Sequence, residues 1–151
     1  MSAPEITLRP FGPADQAAVR RLVLAGLVEH WGRLDETKIP DLRDIQQTYV
    51  AAGHTVLVAE AGGQIVGTGT LVTETPTRGR IVRMSVEAAL RRRGLARRMV
   101  AALLDEARCR DLREVFVEAT HDWHGAVALY EACGFVEYDR DSDEIHLRLR
   151  L

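Results

Sequence analysis

Ile6-Thr7-Leu8-Arg9 alternates apolar and polar positions, the period of a strand, and 10–15 supplies turn residues before apolar positions recur at Ala18, Leu22, Ala25 and Val28 with helical spacing. The opening therefore reads as strand, then helix. Pro40 stands at the entrance of a second, shorter helix predicted over 41–52, with Leu42, Ile45 and Tyr49 on one face and Gly53 as its stop. Val56-Leu57-Val58-Ala59-Glu60 and the run from Gln64 to Val72 are rich in β-formers, and Ala61-Gly62-Gly63 between them predicts a tight hairpin. A third strand follows across Arg80 to Val86.

From Leu95 the period lengthens to that of a helix, with Leu95, Met99, Leu103 and Ala107 on one stripe and Val100 and Leu104 beside it, ending at about Cys109. The remainder reads as a strand over Glu114 to Ala119, a helix from about Trp123 to Cys133 closed by Gly134, and strands near 135–138 and 144–149. Strands outnumber helices and their order is mixed, which excludes a simple βαβ repeat and implies a helix-flanked, partly antiparallel sheet. Cys109 and Cys133 lie in apolar helical surroundings without paired spacing, so buried thiols are expected, with no disulfide and no metal.

Composition narrows this picture without redirecting it. The 151 residues, 46% hydrophobic and 28% charged, suit one domain over 1–151 with its fold complete. A net charge of -2 argues against a dedicated nucleic-acid binder. No apolar run approaches the roughly 20 residues of a membrane helix and no signal-peptide pattern opens the chain, so a cytoplasmic protein without a membrane partner is expected. Charge is nonetheless uneven: Lys38 is the only Lys, while Arg91, Arg92, Arg93, Arg97 and Arg98 crowd together.

That crowding falls where strand, turn and helix meet, at Arg83-Met84-Ser85-Val86 followed by Arg91-Arg92-Arg93-Gly94-Leu95-Ala96. A helix amino end offers free N–H groups and the positive pole of the dipole, which together hold an anion. Gly94 and Ala96 are small enough to let a diphosphate approach the backbone. Consecutive arginines at that pole are opposed by the dipole unless an anion compensates them. The Gly-x-Gly-x-x-Gly of a dinucleotide fold and the Gly-Lys-Ser/Thr of a P-loop are both missing.

Arg91-x-x-Gly94-x-Ala96 after an apolar strand resembles the cofactor motif Gln/Arg-x-x-Gly-x-Gly/Ala of the Gcn5-related N-acetyltransferase (GNAT) superfamily. A second signature of that family, Ala-x-x-Leu-Tyr-x-x-x-Gly-Phe, is closely followed from Ala126 through Leu129, Tyr130 and Gly134 to Phe135. The resemblance covers essentially the whole chain. It implies an α+β, acyl-CoA N-acyltransferase fold: a central, mostly antiparallel sheet of six or seven strands with a V-shaped splay, flanked by about four helices. It also implies acetyl-CoA as cofactor and acetyl transfer to a primary amine, in a small molecule or a peptide. A homodimer through the C-terminal strands is left open.

Site residues follow from the same resemblance. Pantetheine would lie in the splay along Met84, Ser85 and Val86, and the diphosphate on the N–H groups of Arg92, Arg93, Gly94, Leu95, Ala96 and Arg97, with the Arg91 and Arg92 side chains nearby. Ala126 and Tyr130 would border the cofactor, and Trp123 stands where many relatives carry Asn. Tyr130 occupies the general-acid position, and Glu118, twelve residues earlier, is paired with it as base, directly or through water. Alternation along the strand leaves open which face Glu118 takes. His121 and His124 are further bases or polar caps. The acceptor site would draw on Glu29, His30, Trp31 and Asp35, with Asp41 and Asp44 nearby, whose acidity suits a cationic amine. The alternative is a domain that binds acyl-CoA as a sensor without turnover, to which Trp123 points.

Overall fold

The computed structural model describes residues 5–121 and 124–151. β1 (Ile6–Pro10), β2 (Thr55–Ala61), β3 (Gln64–Thr75), β4 (Arg78–Val86), β5 (Glu114–Thr120), β6 (Val136–Arg140) and β7 (Glu144–Arg150) form one seven-stranded sheet in the order β1-β2-β3-β4-β5-β7-β6. Gly62 and Gly63, at φ 56° and 80°, make the β2–β3 turn that L-residues resist. Every neighbouring pair is antiparallel except β4 and β5, which run parallel because α2 (Leu95–Cys109) crosses between them. The mostly antiparallel, helix-flanked sheet anticipated from the sequence is the one that forms.

α2 buries Leu95, Met99, Val100, Leu103, Leu104 and Ala107, the stripe read from its 3.6-residue period. With α3 (His124–Ala132) it covers Val115, Val117, Ile145 and Leu147 in the main core. α1 (Gln16–Trp31) covers a second core that includes Ile39, Leu42, Ile45, Val56 and Val58. Its buried face is Val19, Val23 and Leu27, not the row Ala18, Leu22, Ala25 and Val28, and Val28 is exposed. Almost every position from 17 to 28 except Arg20 and Arg21 is apolar or glycine, so spacing alone does not select one row.

Two other expectations change. The segment 41–52 is not one α-helix but a 3-10 turn at Pro40–Arg43 followed by a π-helical turn at Gln46–Val50. Gln16 of α1 reaches into this segment: its Nε2 donates to Leu42 O at 2.9 Å and Arg43 O at 3.2 Å, and its Oε1 accepts from the Ile45 N–H at 2.9 Å. A side chain has taken partners that a continuous α-helical ladder would need. The apolar face nevertheless survives, with Leu42 and Ile45 buried and Tyr49 packed against them. Cys109 is exposed and Cys133 half-buried, not both buried. Two residues beyond the buried Ala107, Cys109 has turned roughly 200° around α2, away from the sheet.

No helix of the described residues is long and apolar enough to cross a membrane. Among them no group of three or more His, Cys, Asp and Glu is arranged to hold a metal ion.

Candidate functional site

β4 and β5 pair only at Arg78 with Glu114, Gly79 with Val115 and Arg80 with Phe116. Beyond that point the strands part. The register between β3 and β4 slips from Thr68 opposite Ser85 to Thr70 opposite Val82, an extra residue in β4, and Arg83 within it takes φ 55°. Such a bulge bends a strand and re-aims its side chains. The resulting cleft, about 2150 Å³, is lined by Ile81 to Val86 on one wall and Val117, Glu118 and Thr120 on the other. Met84, Ser85 and Val86 border it, and Ser85 Oγ donates to Leu22 O of α1 at 3.2 Å.

One end of the cleft is the start of α2. Gly94 is its N-cap at φ 82°, Arg92 lies at φ 64°, and a side chain built on Gly94 would meet nothing within 4 Å. The first intrahelical donor is the Arg98 N–H, bonded to Gly94 O at 3.0 Å, so the N–H groups of Leu95, Ala96 and Arg97 have no intrahelical acceptor. Arg91, Arg92, Gly94, Ala96 and Arg97 line the cleft here. Arg91 is engaged with Glu29, its Nη1 and Nη2 on the two carboxylate oxygens at 2.5 and 2.8 Å, and its Nε donates to Val86 O. That hydrogen bonding holds the Glu29 carboxyl below its ordinary range. Arg92 and Arg93 make no ion pair with another described residue. This end therefore offers open amides and uncommitted positive charge, a combination that suits an anion with several oxygens.

Farther along, Tyr130 of α3 is buried edge-on against Phe135, with centroids 5.7 Å apart, and borders the cleft together with Ala126 and Leu129. Burial, with the neighbouring Cys133 thiol adding to it, pushes the Tyr130 phenol well above its ordinary pKa and keeps it protonated. Glu118, whose face alternation left open, opens on the cleft and is paired with Arg80 from the opposite strand. Arg80 also holds Glu74 at 3.1 Å and lies over the Phe116 ring. A carboxylate has two oxygens and several lone pairs, so pairing with Arg80 leaves Glu118 able to accept another proton donor.

The third side is built by the end of α1 and the connection to β2, where Glu29, His30, Trp31, Asp35, Asp41 and Tyr49 line the cleft. Asp35 caps a short turn, accepting from the Thr37 N–H at 3.1 Å and Thr37 Oγ1 at 2.5 Å. Asp44 caps the π turn through the Gln47 N–H and is absent from the lining. Asp41 accepts from Tyr49 Oη at 2.6 Å and from Arg83 at 2.8 and 2.9 Å. Burial alone would raise the Asp41 carboxyl, but the bonds from Arg83 and Tyr49 hold it below its ordinary value, while burial and Asp41 push Tyr49 up to about 12. Sequence reading missed Arg80, Arg83 and Tyr49. The only signal for the two arginines was their place on a strand predicted to border the splay, and Tyr49 was read only as part of an apolar helix face.

His121 is engaged in structure, its Nε2 donating to Asp141 O at 2.6 Å. Trp123 and the His124 side chain lie outside the described residues. The loop acids Asp143 and Glu144 also border the cleft, and Asp141 is satisfied by His146 and by the N–H groups of residues 143 and 144.

The profile of the acetyltransferase (GNAT) family matches residues 18–135. Probable N-acetyltransferase family 8 member 5 of Mus musculus is 35% identical over 100 residues, covering 63% of this chain and 44% of that protein. N-acetyltransferase 8 of Rattus norvegicus is 38% identical over 101 residues, covering 63% and 46%. The chain thus spans about half the length of the relatives it matches. Among solved structures, a GNAT-family acetyltransferase from Staphylococcus aureus Mu50 superposes with TM-score 0.87 at 16% identity, covering 97% of this chain and 99% of that one. The PaiA N-acetyltransferase of Thermoplasma acidophilum, in complex with coenzyme A, gives TM-score 0.85 at 11% identity with the same coverage. These likenesses show the fold.

Proposed function

The chain belongs to the acetyltransferase (GNAT) family, and from that premise we propose that it moves the acetyl group of acetyl-CoA to a primary amine by direct attack. The observation that carries this reading is that the amides opening α2 and the Tyr130 ring border one cleft between parted strands. A diphosphate would rest on the N–H groups of 92–97, with Arg91 and Arg92 at its flank, and a pantetheine arm would run past Met84, Ser85 and Val86. The open approach over Gly94 fits such a ligand. When bound, the cofactor supplies an activated thioester. The coenzyme A held by the Thermoplasma acidophilum protein, and the N-acetyltransferase names of the rodent relatives, support this choice.

The chain's own groups would then manage protons. As an amine nitrogen in its neutral form attacked the carbonyl carbon and the carbon–sulfur bond broke, Tyr130 would give its phenolic proton to the departing sulfur and regain one from solvent before the next turnover. Glu118, or a water beside it, would accept the proton lost by the amine. A tyrosine phenol, with an ordinary value of about 10, is already present as the acid across the physiological range; burial raises it further, so its proton would move only as negative charge builds on the sulfur. Ala126, on the same helix as Tyr130, would pack against the cofactor. Glu29, His30, Trp31 and Asp35 would face the acceptor, a small-molecule or peptide amine, with the negative charge of Glu29 and Asp35 favouring a cation.

Thiol release from acetyl-CoA, followed across a panel of amines, tests this reading. Amine-dependent release that falls by about 10²–10⁴ in Tyr130→Phe is expected. Tight coenzyme A binding with no amine-dependent release from any acceptor would instead make the domain a sensor.

A further inference from the structure

Three ion pairs join the walls of the cleft: Arg83 with Asp41, Arg80 with Glu118, and Arg91 with Glu29. They differ in exposure. The side chains of the first pair are 25% and 17% exposed and those of the second 21% and 27%, whereas Arg91 and Glu29 are 41% and 53% exposed. Exposed pairs are the ones a charged ligand can exchange at little cost.

Glu29 also sits at the unfavourable pole of its own helix. Glu29 is in the last turn of α1, which ends at Trp31, where free carbonyls make the field negative. Arg91 lies outside α2, three residues before its N-cap Gly94, at the end of the short turn Ala88–Leu90 and beside the approach to the α2 amides. Glu29 is not favoured by its helix and is compensated by Arg91, which is also tied through Nε to Val86 O. An anion arriving at the α2 amides meets Arg91 on its way, and a multiply charged phosphate is a stronger acceptor for a guanidinium than one carboxylate. Glu29 would then be left as an uncompensated anion at a negative helix end, facing the acceptor side of the cleft.

We infer that Glu29 competes with the cofactor's phosphates for Arg91, and that cofactor binding frees Glu29 to hold the cationic acceptor. Glu29 is thus a specificity-determining carboxylate that Arg91 masks until the phosphates draw Arg91 away. This rests on the reading of the cleft as an acetyl-CoA site. Linkage makes the effect reciprocal: a cation held by Glu29 loosens Arg91 and strengthens its hold on phosphate.

Calorimetric titration of coenzyme A into the wild type, Glu29→Gln, Arg91→Gln and the double variant tests the first half. Glu29→Gln is expected to tighten coenzyme A about two- to five-fold, the scale of an exposed ion pair, and to have no effect when Arg91 is already Gln. Unchanged or weaker affinity in Glu29→Gln overturns the inference. Equal tightening in both backgrounds also overturns it, because the effect would then be general charge and not competition for Arg91. The second half is read from KM for the amine found active by thiol release: Glu29→Gln should raise it about two- to five-fold with kcat held, opposite in direction to the cofactor effect. An unchanged KM contradicts that half. A folded wild type that binds no coenzyme A overturns the acetyl-CoA reading itself, which is a distinct outcome.

Discussion

Arg83 reaches Asp41 across 42 residues of sequence, its Nε and Nη2 on the two carboxylate oxygens at 2.9 and 2.8 Å. The contact joins the bulge that opens the sheet to the connection that walls the acceptor side. Asp41 also accepts from Tyr49 Oη at 2.6 Å. A half-buried carboxylate gripped from both sides fixes the distance between the splayed strand and residues 40–50, which no apolar contact would do with the same directionality.

Asp41→Asn should therefore destabilise the protein by about 1–3 kcal/mol at pH 7, the cost of breaking a partly buried charged hydrogen bond. The Asp41 pKa is depressed in the folded state, so its contribution is present above the unfolded carboxylate value of about 4 and is lost as pH falls through the lower folded value. Urea unfolding of the wild type and Asp41→Asn at neutral and acid pH checks this. Their difference should shrink as pH drops below about 4; a difference that stays constant removes Asp41 as the cause.

Gln16 makes a second long-range claim. Gln16→Ala removes the partners of Leu42 O, Arg43 O and the Ile45 N–H, and should cost about 1–3 kcal/mol if those groups stay buried. Thermal unfolding reads the loss. A neutral outcome would mean that residues 40–46 recover an ordinary α-helical ladder once released.

These two residues also explain where the sequence was and was not legible. α2, the Gly62-Gly63 hairpin and the strands of the second half follow from period and turn residues, because in each the apolar face is unambiguous or the turn chemistry is local. The face of α1 was misread because its apolar residues run nearly all round the helix. The helix over 41–52 was misread because the competing hydrogen bonds come from Gln16, more than 25 residues away. At the site, the amides near Gly94 and the Tyr130 position were carried by contiguous motifs. Arg80, Arg83 and Tyr49 were not, since nothing in a linear string of charges says which arginine meets which acid across a fold.

Tyr130→Phe keeps the ring packed on Phe135 and removes only the hydroxyl, so stability should be unchanged within about 1 kcal/mol while kcat falls. The wild-type phenol is raised by burial, so turnover should not fall through Tyr130 ionisation until pH exceeds the ordinary tyrosine value of about 10. A pH–rate profile compared with that of the variant separates this limb from others. Full activity in the variant would end the assignment.

Gly94→Val places a β-branched residue at φ 82° and closes the open approach to the α2 amides. It should cost about 1–3 kcal/mol of stability through backbone strain, and it should weaken coenzyme A more than the strain alone explains. Titration at a temperature where both proteins are fully folded isolates the second effect. Equal affinity would show that the amides of 94–97 are not the contact.

Hydrogen exchange with and without coenzyme A tests the central claim most directly, because it reports which amides the ligand covers. Protection is expected at residues 84–86 and 94–97, the open edge of β4 and the first turn of α2, with little change along β1, β2 and β6. Binding that protects amides elsewhere and leaves the start of α2 exchanging freely would contradict it.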